Sequence, residues 1–284
     1  MWTRFFLAPA AAATILAASP DVLAVDLKPK TIAAFDRYVK LTEDRIATEL
    51  DGTKPFLWVD RQPAAAKADA MARLKRGEVV SARLETWEKG KKITADDAMI
   101  HHWIGSVLLP GVSLAKARTV VERYDHYPRL LEPMVQRAKI IEHVGPDYVV
   151  QMRTTMSKMM VTVVIDADYR IVYKTINPSK LYTKSVAVNV FEVQSASTAS
   201  ERRVEGDKSG GYLWRLNTYC SFEELLPAGT VEQCESISLT RDAPFGTGWL
   251  VNRFVNSIPR ETLAFTLGRV REEAVKSVKT AQGR

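Results

Sequence analysis

From Thr31 to Leu50, the positions Ile32, Phe35, Tyr38 or Val39, Thr42 and Ile46 recur at helical spacing with charges between them, which predicts an amphipathic helix. Asp51-Gly52-Thr53-Lys54-Pro55 ends it, and a second helical stretch runs from Ala64 to about Arg76 and stops at Gly77. Glu78 to Thr86 has the character of a strand, and Glu88 to Asp97 is a charged connector. A boundary is therefore placed after Asp97, with a helical N-terminal extension over 25–97 and the main domain over 98–284. Met99 to Leu109 is apolar and aromatic and closes on Pro110-Gly111, a strand followed by a turn. Ser113 then caps a helix whose inner face is Leu114, Ala117, Val120, Val121 and Tyr124.

The pattern now turns β-rich. Expected strands are Gln136 to His143, Tyr148 to Met156, Met159 to Asp166, Arg170 to Ile176, Lys184 to Gln194, Tyr212 to Glu223 and Val231 to Arg241. Gly145-Pro146-Asp147, Asp166-Ala167-Asp168, Asn177-Pro178-Ser179 and Ser209-Gly210-Gly211 punctuate them, and the polar stretch from Ser195 to Gly211 reads as a loop. One strong helix closes the chain. Ser257 is placed to cap it and Pro259 to start it, and Leu263, Leu267, Val270, Ala274 and Val278 form its apolar stripe. An apolar lead-in from Pro244 to Phe254 precedes it.

Strand, helix, a run of antiparallel strands and a long terminal helix is the element order of the START-like, or helix-grip, superfamily. Tyr124-Asp125-His126-Tyr127-Pro128-Arg129-Leu130-Leu131-Glu132-Pro133 resembles that superfamily's exit from its first helix. Gly248-Trp249-Leu250-Val251 through Ser257-Ile258-Pro259-Arg260-Glu261-Thr262-Leu263 is similar to the lead-in to its closing helix. The resemblance covers about Met99 to Lys279 and leaves the N-terminal extension unexplained. It implies an α+β fold in which a curved antiparallel sheet wraps around the C-terminal helix and leaves a cavity. It also implies ligands among lipids, sterols, quinones or polyketides, with a smaller set of cyclases and hydrolases.

Met1 to Ala24 reads as a signal peptide: Arg4 supplies the basic start, Phe5 to Ala18 is apolar, and Val22-Leu23-Ala24 offers a cleavage site. The apolar run is shorter than the roughly 20 residues of a bilayer span, so an uncleaved anchor is the weaker reading. The expected location is periplasmic or secreted. The formal charge of +7 in such a compartment suits an anionic membrane surface rather than nucleic acid. Nothing in the chain fixes an oligomeric state.

The two cysteines, Cys220 and Cys234, flank the turn chemistry of Leu226-Pro227-Ala228-Gly229-Thr230. A turn centred near Pro227 sets Cys220 opposite Cys234, Tyr219 opposite Glu235, Asn217 opposite Ile237 and Arg215 opposite Leu239. An oxidising compartment makes the cysteine pair a disulfide; two reduced core thiols are the alternative. Alternation then puts Arg215, Asn217, Tyr219 and Glu235 on one face. If that face looks inward, it supplies a polar ligand site or a proton-transfer group; if it looks outward, it is a solvated surface. The opposite face, with Trp214, Leu216, Thr218 and Cys220, is no less apolar, so both readings stand.

Trp249, Phe254, Leu263 and Leu267 complete the candidate ligand-binding set, with ordinary core packing as their bland alternative. His101 and His102 are adjacent on a strand, point to opposite faces and lack partners at metal-ligand spacing, so strand-end polar roles are expected and no metal. His126 and His143 read as surface turns. No motif calls for a cofactor, a serine hydrolase or a nucleotide site. The expectation is an exported binding or carrier protein for a hydrophobic small molecule or lipid. The alternatives are a cyclase-like or hydrolytic enzyme using Tyr219, Glu235 and Arg215, and an envelope scaffold contacting partners through its N-terminal helices.

Overall fold

The computed structural model describes residues 27–158, 161–242 and 248–282. The expected signal peptide, Met1 to Ala24, lies outside the described residues, as do the side chains of Trp249 and Phe254. Helix α1 (Pro29–Leu50), a short helical turn at Trp58–Arg61 and helix α2 (Ala64–Lys75) come first. Strand β1 (Val80–Arg83) and a small hairpin of β2 (Trp87–Glu88) and β3 (Lys91–Lys92) follow. Strand β4 (Ala98–Pro110) leads to α3 (Leu114–Val121) and, through a tight turn, to α4 (Tyr127–Leu130). Then come β5 (Val135–Val144), β6 (Asp147–Lys158), β7 (Val161–Asn177), β8 (Lys180–Gln194) and β9 (Arg202–Glu205). Strands β10 (Arg215–Leu225) and β11 (Gly229–Arg241) precede the long helix α5 (Gly248–Gln282). No helix among the described residues is long and apolar enough to cross a membrane.

All but β2 and β3 join one antiparallel sheet in the order β1-β4-β11-β10-β8-β7-β6-β5, with β9 paired to β8. The curved sheet grips α5, as the sequence implied. The hairpin register is the one its turn predicts: Cys220 pairs with Cys234, Tyr219 with Glu235, Asn217 with Ile237 and Arg215 with Leu239. The Ser113 side chain accepts the hydrogen bond of the Lys116 N–H at 3.3 Å, which caps α3.

Both faces of the sheet are covered. On the inner face Val107, Leu109, Phe222 and Cys234 pack with α3 and with Leu263, Leu267 and Val270 of α5. On the outer face Tyr219, Ile237 and Leu239 pack against Phe35, Tyr38 and Ile46 of α1, while Leu108 and Val231 meet Leu57, Val59, Ala70 and Leu74. The N-terminal extension is thus laid across the back of the sheet, and β1 continues it by pairing Val80 with Ser106 through Arg83 with Trp103.

Two elements run longer than the sequence pattern suggests. Asp166-Ala167-Asp168 is no turn; β7 passes straight through it with a bulge beside Tyr169. Asp166 is held there by a two-pronged hydrogen bond from Arg153, at 2.7 and 2.8 Å, and Asp168 accepts from Gln151 and Asn189 at 3.1 and 2.9 Å. Cross-strand partners thus hold acids that would otherwise favour a bend. Likewise α5 begins at Gly248, so Ser257 is not its cap and Pro259 sits inside it.

Helix α5 approaches β4 closely at Gly105, where an added Cβ would stand 2.8 Å from Leu267 Cδ1. Gly105→Val is expected to lower stability by about 1–3 kcal/mol through overpacking, seen as a reduced urea midpoint at unchanged slope.

Candidate ligand cavity between the sheet and the C-terminal helix

A cavity of about 310 Å³ lies between the inner face and α5. Period-two alternation builds its walls: Leu216, Thr218, Cys220 and Phe222 come from β10, and Glu232, Cys234, Ser236, Ser238 and Thr240 from β11. Helix α5 contributes Pro259, Leu263, Leu267 and Val270 along its apolar stripe. Met152, Met156, Tyr169 and Tyr173 close the far side from β6 and β7, and Val121, Tyr124 and Tyr127 close the end beneath α3. This volume sits at the small end of the range of ligand pockets, roughly 300–1,000 Å³.

The polar groups differ along its length. Toward the α5 lead-in, hydroxyls of Ser236, Ser238, Thr240 and Thr262 edge the space. Toward α3, Tyr124 and Tyr173 share a hydrogen bond of 2.6 Å between their hydroxyls, and the Tyr127 hydroxyl donates to the Val121 carbonyl at 2.8 Å. Burial pushes all three phenols up, so they stay protonated at neutral pH.

Glu232 is the one acidic or basic side chain among the described residues that line the cavity. It is only 3% exposed, and its Oε2 has no hydrogen-bond partner. Burial pushes its carboxyl up to about 8, so it is largely uncharged at neutral pH. Sequence reasoning missed it, although its alternation with Cys234 places both on one face.

The four polar residues singled out on the opposite face require a correction. Arg215, Asn217, Tyr219 and Glu235 point away from the cavity, and three of them are buried beneath α1 rather than exposed to water. Arg215 pairs with Asp207 at 2.6 Å. Tyr219 accepts from Asn217 at 3.0 Å and donates to Glu43 of α1 at 2.7 Å. Glu235 accepts from His102 Nε2 at 2.6 Å and is paired with Arg45. Burial opposes ionisation of Glu235, but the hydrogen bond from His102 and the charges of His102, Arg45 and Arg61 outweigh it and hold the carboxyl below its ordinary value. Leu263 and Leu267, by contrast, line the cavity.

His101 and His102 are buried inside the sheet rather than serving at a strand end. His101 shares a hydrogen bond with Thr240 at 3.0 Å, and burial, with Arg83 nearby, pushes it down to about 4, leaving it neutral. His102 meets the Tyr38 hydroxyl through Nδ1 at 2.9 Å. His126 lies in the turn before α4, and His143, on β5, stacks on Tyr148 at 4.0 Å between ring centroids.

Cys220 and Cys234 form a disulfide in the cavity wall. Its sequence separation of 14 closes a short loop. On the chain-entropy model, the Cys220→Ala, Cys234→Ala double variant is expected to lose about 3 kcal/mol, read as a lower denaturant midpoint under non-reducing conditions.

Sheet, gripped helix and the apolar hollow between them together define a helix-grip architecture with a cavity. The element order and the sheet around the last helix agree with the helix-grip arrangement that the sequence resemblance implied. No protein-family model matches the chain, and no curated protein matches it in sequence. Among solved structures it is similar to the ZhuI aromatase/cyclase from Streptomyces sp. R1128, at 11% identity and a TM-score of 0.44, covering 64% of this chain and 98% of that one. It is also similar to a STAR-related lipid transfer protein fragment from Xanthomonas axonopodis, at 13% identity and a TM-score of 0.40, over 66% of this chain and 98% of that one. A START superfamily protein from Mycobacterium smegmatis aligns at 12% identity and a TM-score of 0.35, over 69% and 99% of the two chains.

Proposed function

We propose that the protein is an exported carrier that holds a hydrophobic small molecule or lipid between the sheet and α5. The observation that carries this reading is the cavity itself: about 310 Å³, walled chiefly by aliphatic and aromatic side chains, with a single titratable carboxyl among its described lining. Burying an apolar ligand there gains about 25 cal/mol per Å² removed from water. Met152 and Met156 in the wall give it adaptable shape. The enzyme alternative loses the residues it was built on, because Tyr219, Glu235 and Arg215 are outside the cavity.

Export is supported by the signal-like start of the chain and by the disulfide, which suits an oxidising compartment. The charge of +7 supports collection or delivery at an anionic membrane surface. Co-sedimentation with vesicles containing phosphatidylglycerol, lost at high salt and absent with purely zwitterionic vesicles, checks that step.

Native mass spectrometry of protein purified from its own host tests the central claim. A retained lipid-like adduct is expected, and a homogeneous apo mass that takes up nothing from a lipid extract would refute it. Ser236→Trp, which places a large ring in the wall, is expected to abolish the adduct while the far-ultraviolet circular dichroism stays that of the parent.

A further inference from the structure

At the α3 end of the cavity the hydroxyls of Tyr124, Tyr127, Tyr173 and Thr230 are satisfied. Tyr124 and Tyr173 bond each other, Tyr127 bonds the Val121 carbonyl, and Thr230 donates to the Val112 carbonyl at 2.8 Å. Glu224, a second carboxylate at this end of the hairpin, accepts the Leu114 N–H at 3.2 Å. Glu232 is the exception: the residue lines the cavity, and its Oε2 is buried and has no partner. The sheet register sets it between Val107 of β4 and Phe222 of β10, two apolar neighbours that offer it nothing.

Resting on the carrier reading, we propose that Glu232 is the polar anchor of the cavity and selects ligands that present a neutral hydroxyl or carbonyl to the α3 end. The chemistry of the lining argues for that class over three others. No Lys, Arg or His is among the described residues that line the cavity, so an anionic head such as a fatty-acid carboxylate or a phosphate would meet no counter-charge from them. A plain hydrocarbon end would leave the carboxyl unsatisfied, forfeiting the gain that a hydrogen bond to it supplies. An amine would create an ion pair in an apolar site, where the desolvation of both partners offsets their attraction. A hydroxyl or carbonyl meets the uncharged acid as it stands, with one hydrogen bond and no charge to bury.

Displacement of the neutral fluorophore N-phenyl-naphthylamine from the full protein at neutral pH tests this with probes of similar length: decane, decanol, methyl octyl ketone, decanoate and decylamine. The expected order has decanol and the ketone binding about tenfold tighter than decane, decanoate and decylamine, the worth of one buried hydrogen bond. Glu232→Leu is expected to bring decanol down to the affinity of decane and leave decane unchanged. Glu232→Gln, which keeps a neutral donor and acceptor, is expected to retain the preference and shows that the site survives substitution. The anchor is overturned if Glu232→Leu keeps the wild-type ratio of decanol to decane, if decane binds the wild type as well as decanol, or if decylamine or decanoate binds best. Failure of every probe to displace the fluorophore would instead refute the carrier reading, and the anchor with it.

Discussion

Glu235→Ala is expected to lower the melting temperature by about 10 °C. The substitution removes the acceptor shared by His102 and Arg45 beneath α1, and leaves Arg45 and Arg61 with Glu49 as their acidic partner. Removing one member of a buried ionic network costs about 3–5 kcal/mol, since the partners remain buried. For a chain of this size each kcal/mol corresponds to about 2–4 °C. The folded carboxyl titrates below its ordinary value of 4.5, so its contribution is fully present above that pH and is lost as pH falls through the folded value. The parent and Glu235→Ala should therefore converge in stability on acidification. A thermal melt series from neutral pH down through the carboxylate range checks both points, and equal melting temperatures at neutral pH would refute the network's role.

Glu232→Leu is expected to act in the opposite direction, melting roughly 10 °C above the parent at pH 8. Here the folded carboxyl is raised from 4.5 to about 8, so between those values the folded chain retains a proton that the unfolded chain has released. Stability therefore falls as pH rises through that window and levels off above it. At about 1.4 kcal/mol per pKa unit, the stability difference between the variant and the parent should grow by roughly 3–5 kcal/mol from pH 4.5 to pH 8. A leucine of similar reach fills the site without a group to desolvate. A melting temperature that tracks the parent across the same range would show that Glu232 is not held uncharged. Gained stability at the expense of ligand choice is the usual trade at a binding site.

The two acids also show what could be read from the chain and what could not. Turn chemistry around Pro227 sufficed for the register of β10 and β11, since a hairpin's pairing is a local matter. Which face looks inward was not local. An ordinary sheet with one wet face declares its orientation by alternating polar and apolar residues, but here α1 covers the outer face and α5 the inner one. The outer face keeps Tyr219 and Glu235 because Glu43 and Arg45 meet them from 176 and 190 residues away. No spacing rule along the sequence detects such a partnership. The helix stripe of Leu263, Leu267 and Val270 was legible because it obeys the helical period wherever the helix begins. The start of α5 was not, because a proline suggests a beginning where the structure carries the helix through it.

Glu232 and Glu235 stand three positions apart on β11 and so project to opposite sides of the sheet, one uncharged and one ionised. Sliding that strand by a single residue would turn both to the opposite face, thrusting an anion into the oily hollow and a lone acid into the packing beneath the N-terminal helices. The sulfur bridge from Cys220 to Cys234 lies between them in the ladder and forbids the slide. It therefore acts as a dowel as well as a staple, keeping each acid in the environment that sets its charge.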